Sequence, residues 1–197
     1  MTRRAFTAIV RSRLIAERRA IAMSCGLALI VGFIAPHDIL GPMLFCSALG
    51  IAVALLQGPG RWDHLDACER GAPFFGRELA RAKAVAPLIA ATGIVLFYVA
   101  AQIPSASVLS PRQIAVTLAC VLAATLVSLN ATLREGLARL LYIGLACGAV
   151  AGAYALLRAF GPLSEFGFCV ACGFIALRQY GEALARYEPI SLRQAQD

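Results

Sequence analysis

Residues 58–83 read GPGRWDHLDACERGAPFFGRELARAK and hold five of the chain's eighteen basic residues and four of its eleven acidic ones. Apolar runs flank this segment on both sides, each near the roughly 20 residues that a helix needs to cross a hydrocarbon core. A polar stretch so placed has to stand in water between two spans. The pattern predicts a membrane protein built around one aqueous segment.

The composition points the same way. Of 197 residues, 60% are hydrophobic and 15% charged, and the mean hydropathy is +0.76, which is outside the range of soluble domains. A formal charge of +7 would suggest nucleic acid in a soluble protein. Here the basic residues first have to be placed against the membrane, and no nucleic-acid partner is expected. Seventeen of the eighteen are Arg, and Lys83 is the single lysine.

Six spans are predicted, at 20–35, 39–57, 84–103, 113–133, 139–160 and 163–177. A tight turn at Pro36, His37 and Asp38 makes a hairpin of the first two. PSASVLSPR is a short loop before the fourth, and REGLA turns the chain into the fifth. The sixth is short, opens with Gly161 and Pro162 and carries Glu165, which suggests a partial or re-entrant element before it spans. The tail, 178–197, continues from Leu177 with Tyr180, Leu184 and Tyr187 at helical spacing. That predicts a short amphipathic cytoplasmic helix ending before Pro189. The expected fold is an all-α polytopic bundle over 20–177.

Residues 1–19, MTRRAFTAIVRSRLIAERR, carry six Arg and one Glu, with Phe6, Ile9, Val10 and Leu14 on one helical face. The pattern predicts a helix lying in the interface plane with its guanidinium groups toward lipid headgroups. As a signal peptide the basic region is too long and too amphipathic, and further spans follow, so cleavage is not expected. Sixteen Arg and Lys residues fall on the side of the termini and of 58–83, against Arg112 and Arg158 on the other. The positive-inside rule then makes both termini and 58–83 cytoplasmic.

Several chemistries have no residues to carry them. The four middle spans contain no Asp, Glu or Lys away from their ends, and Asp38 and Glu165 are expected at the outer edge. A carrier coupled by itself to protons is therefore not expected. No GxxxxGK[ST] loop occurs, so the chain is not expected to hydrolyse nucleotide. His37 and His64 fall on opposite sides of the membrane. Asp63, His64, Asp66 and Cys68 form a local group open to a metal, but read more simply as a solvated helix face. Six of the seven cysteines lie in apolar runs, where a thiol acts as a small hydrophobe, and all seven are read as reduced. CVAC at 169–172 is read as packing. Asn130-Ala-Thr132 matches a glycosylation pattern but falls at a cytoplasmic span end. No catalytic, cofactor-binding or metal-ligating residue is assigned.

Two features remain. Gly144, Gly148 and Gly152 make two overlapping GxxxG units in the fifth span, a spacing that lets helix backbones approach closely within one subunit or between two. Within 58–83 a break at Gly71, Ala72 and Pro73 divides an amphipathic stretch with Trp62, Leu65 and Cys68 or Glu69 at helical spacing from a second helix. That second helix, 76–83, is expected to run directly into the third span. Its shape suits passing movement from a docked partner to a membrane helix, and a plain solvated connector is the simpler alternative.

Taken together, the basic amino-terminal helix, six spans with both ends inside, and Glu69, Gly71, Pro73, Arg77, Arg81 and Lys83 in the first cytoplasmic loop resemble the membrane subunit of a type 2 ABC exporter. Ala72 stands where that family often has Thr, and the connection between the last two spans is short. The heme-exporter membrane subunit is similar in size and layout. The resemblance implies that 1–19 is an elbow helix and that 58–83 is a coupling segment, with Trp62, Leu65, Glu69, Gly71, Pro73, Arg77, Glu78, Arg81 and Lys83 meeting an ATPase. It also implies a second membrane subunit, with ATP bound only on the partner.

The expectation is a non-enzymatic permease subunit of the bacterial cytoplasmic membrane. Its apolar walls suggest a hydrophobic or amphipathic cargo. The alternatives are a scaffold subunit of a larger membrane complex and a small lipid-modifying membrane enzyme. The enzyme would have to draw on Asp63, His64, Asp66 and Glu69.

Overall fold

The computed structural model describes residues 3–34, 39–56, 76–103 and 109–186. Over these residues the chain is helical, without a strand: α1 Arg3–Ala16, α2 Arg18–Ile34, α3 Leu40–Leu55, α4 Gly76–Gln102, α5 Pro111–Thr132, α6 Gly136–Phe160 and α7 Pro162–Arg186.

Local chemistry explains where the helices begin and end. Ser110 caps α5 with a capping box: its hydroxyl accepts from the Gln113 backbone N–H at 3.3 Å, and the Gln113 side chain accepts from the Ser110 N–H at 2.8 Å. Pro111, in the first turn, has no N–H to leave unsatisfied. These residues start the helix at Pro111, two residues before the apolar run predicts. At the same end of the bundle, Gly161 takes φ +86°, a conformation that costs a glycine little. It closes α6 with its N–H bonded to Leu157 O at 3.1 Å, and Pro162 opens α7 directly.

Helix α5 is the axis of the bundle, packing against α3, α4, α6 and α7. Its apolar window is 61% buried within the protein, against 17% for α6, so α5 forms the core and α6 lies at the periphery. Two close approaches hold neighbouring helices together. A Cβ on Gly32 of α2 would stand 2.6 Å from the Tyr98 carbonyl oxygen of α4, and one on Gly50 of α3 would stand 2.6 Å from Thr125 Oγ1 of α5. Glycine allows the backbones to meet there, which matters where lipid supplies no hydrophobic drive for helix association.

Among the described residues, three helical stretches are long and apolar enough to cross a bilayer: Arg81–Gln102, Pro111–Thr132 and Gly136–Phe160. Together they fit a membrane protein. Helices α2 and α3 have 17 and 16 residues and so reach only about 26 and 24 Å at 1.5 Å per residue, short of the roughly 30 Å hydrocarbon core.

The last helix departs from the sequence reading. The partial sixth span and the separate tail helix are one continuous helix of 25 residues. Hydropathy falls at Arg178 and Gln179, but no proline interrupts the backbone. Tyr180 and Leu184 continue the helical face and are buried against Ile9, Leu79 and Leu129.

Candidate functional site

The predicted coupling residues divide at the edge of the described structure. Trp62, Leu65, Glu69, Gly71 and Pro73, and with them Asp63, His64, Asp66 and Cys68, lie outside the described residues. Arg77 and Glu78 belong to the first turn of α4, and Arg81 and Lys83 follow on the same helix.

Helix α4 runs without interruption from Gly76 to Gln102. The expected helix at 76–83 therefore passes straight into the apolar stretch. Its 27 residues span about 40 Å. Pro87 lies inside it and cannot donate to the Lys83 carbonyl, so the helix is weakest one turn beyond Lys83.

The start of α4 is held from several sides. Leu79, Ala82 and Ala84 pack in one apolar cluster with Ile9 of α1, Ala54 of α3, Leu129 of α5 and Tyr180 and Leu184 of α7. Helix α1 lies directly against α4. Its predicted apolar face is the one that packs: Ile9 and Val10 are buried and Phe6 and Leu14 half-buried.

One guanidinium expected to point at lipid does not. Arg13 is 1% exposed because it continues the buried face one turn after Ile9 and Val10, and Glu17 extends the same stripe. Arg13, Glu17 and Lys83 are all buried, and other groups of the chain engage each of them. Arg81 is exposed.

A second polar group crosses the bundle interior, and only part of it was visible in the sequence. Glu165, expected at the outer edge, is 0% exposed inside the bundle. The Cys169 thiol donates to Glu165 Oε1 at 3.1 Å. Cys169 also contacts Cys120 of α5, and Cys120 lies 3.9 Å from the Ser47 hydroxyl of α3. Glu165 Oε2 and Thr117 Oγ1 are buried without a hydrogen-bond partner. The string Ser47–Cys120–Cys169–Glu165 thus joins three helices. Cys169 is more than packing, and the reason is the carboxyl one turn before it. A buried ionisable side chain within a membrane bundle is costly and marks a place where function can reside.

The cysteines Cys25, Cys46, Cys120, Cys147, Cys169 and Cys172 are all free thiols. Among the described residues, no set of three or more His, Cys, Asp or Glu side chains is placed to hold a metal ion. Asn130, discarded as a glycosylation site, is 1% exposed and donates to the Ala176 carbonyl.

The GxxxG glycines behave unequally. A Cβ on Gly152 would meet the Phe168 ring at 3.1 Å, whereas one on Gly144 or Gly148 would meet nothing within 4 Å. The expectation that the whole face is covered holds within this chain only at Gly152. Leu137, Leu140, Leu141 and Leu145 of the same helix are exposed.

No protein-family model, curated protein or solved structure matches this chain. The resemblance to exporter membrane subunits is therefore an expectation from the sequence alone.

Proposed function

We propose that this chain is the permease subunit of an ATP-driven exporter, itself without catalytic activity, in the bacterial cytoplasmic membrane. In this reading the bundle crosses the membrane six times with both termini cytoplasmic, and α1 is its elbow. The segment 58–83 docks on a cytoplasmic ATP-binding subunit. ATP binding and hydrolysis on that partner move the start of α4 and so switch access to a path for a hydrophobic or amphipathic cargo.

The observation that supports this reading is the continuity of α4 from the basic segment into the bundle. A displacement at Arg77 to Arg81 is carried inward by a hydrogen-bonded rod clamped by α1 and α7, and Pro87 offers a place for it to bend. A second membrane subunit fits the open Gly144 and Gly148 face of α6. That same face also suits a scaffold subunit in a larger complex, which is the second reading.

Combined charge reversal at Glu69, Arg77 and Arg81 tests the proposal. Loss of both ATPase association and transport is expected. Retention of both overturns it.

A further inference from the structure

A groove of about 390 Å³ opens between the start of α4 and the last turns of α7, lined by Arg81, Phe174, Leu177, Arg178 and Gly181. Two independent features of the sequence set its depth in the bilayer. The apolar stretch of α4 begins at Arg81, and the apolar stretch of α7 gives way to Arg178 and Gln179 after Leu177. Leu79 and Ala82 share one cluster with Tyr180 and Leu184, so the start of α4 lies beside the end of α7. The groove therefore sits where hydrocarbon meets headgroups.

Its chemistry suits that level. Arg81 is exposed, and the Arg178 side chain is 70% exposed, with its Nε 3.1 Å from Glu182 Oε1. An exposed ion pair one helical turn apart is weak and screened, so it does not cancel the site's charge. Two guanidiniums against one carboxylate leave a net positive site, and the planar guanidinium fork matches phosphate oxygens. Phe174, 70% exposed, and Leu177 extend from the two arginines into the apolar zone.

We propose that this groove binds an anionic phospholipid of the surrounding bilayer. Its phosphate sits between Arg81 and Arg178, and the first carbons of an acyl chain lie along Phe174 and Leu177. The assignment does not rest on the ATPase reading, because it needs only the depth of the groove and its charge.

The test is native mass spectrometry of the full chain released from nanodiscs holding equal amounts of phosphatidylglycerol and phosphatidylcholine. Wild-type protein is expected to retain phosphatidylglycerol selectively. Arg178→Gln and Arg81→Gln should each lower that selectivity several-fold. Glu182→Gln should raise it, because the competing carboxylate is gone. Inorganic phosphate added to the solubilised protein should displace little lipid, since it lacks the acyl contact. Equal retention of the two lipids by wild type, unchanged selectivity in Arg178→Gln, reduced selectivity in Glu182→Gln, or ready displacement by inorganic phosphate would each overturn the assignment.

Discussion

The Asn130 side-chain amide on α5 donates to the Ala176 carbonyl oxygen on α7 at 3.0 Å, and both residues are almost completely buried. This bond ties the axial helix to the helix that closes the bundle. Asn130→Ala removes it, at a cost of about 0.6 kcal/mol and up to about 1.7, as for other interhelical bonds in membranes. Asn130→Asp should cost more than Asn130→Ala, because it turns a donor into an acceptor that faces a carbonyl. Unfolding of the purified protein in a denaturing detergent checks the order.

The two close-approach glycines should respond differently to alanine. At Gly32 the obstacle is the Tyr98 backbone carbonyl, which cannot rotate away. Gly32→Ala should therefore destabilise by about 1–3 kcal/mol with no single-site rescue. At Gly50 the obstacle is Thr125 Oγ1, a side chain already bonded to the Val121 carbonyl at 2.7 Å. Thr125→Ala should recover part of the Gly50→Ala loss, and a double-mutant cycle on thermal stability would measure the coupling.

Gly144→Leu and Gly148→Leu should leave the stability of the isolated chain unchanged or slightly raised. Nothing stands within 4 Å of the added Cβ, and leucine favours helix over glycine by up to about 1 kcal/mol. If α6 meets a second membrane subunit, the same substitutions lower the dimer fraction in cross-linking. Equal dimer yield in wild type and variants would remove α6 from the interface.

Pro87→Ala restores a donor for the Lys83 carbonyl and should raise thermal stability, since an interior proline costs a helix about 3 kcal/mol. If the bend there passes movement from the start of α4 into the bundle, the stiffened variant also transports more slowly. A variant that is more stable and transports as fast as wild type would show that Pro87 is no hinge.

How much was legible beforehand differs from helix to helix. The entry of α4 into the bundle could be read because 77–86 contains neither Gly nor Pro, so the helical pattern has no place to stop. The union of the sixth span with the tail was missed because hydropathy and helical period part company at Arg178, and the backbone follows the period. Glu165 was placed correctly along α7 but not in the bundle. Its contact with Cys169 is a local i, i+4 pair on α7, whereas the contact of Cys169 with Cys120 depends on how α7 rotates against α5, a tertiary fact with no local signature. Arg13 is similar: the i, i+3, i+4 stripe after Ile9 includes it, but charge argued for lipid and packing decided otherwise. The three GxxxG glycines look equivalent in sequence, and only Phe168 distinguishes Gly152 from the others.

The central claim is that the start of α4 is the place where an ATPase takes hold. Its most direct measurement is co-purification of a nucleotide-binding subunit with the solubilised chain, in wild type and in a variant with 69–81 scrambled. The account predicts that the ATPase comes with wild type and is lost on scrambling. A stable complex that contains no ATPase, or one that keeps it after scrambling, would contradict it.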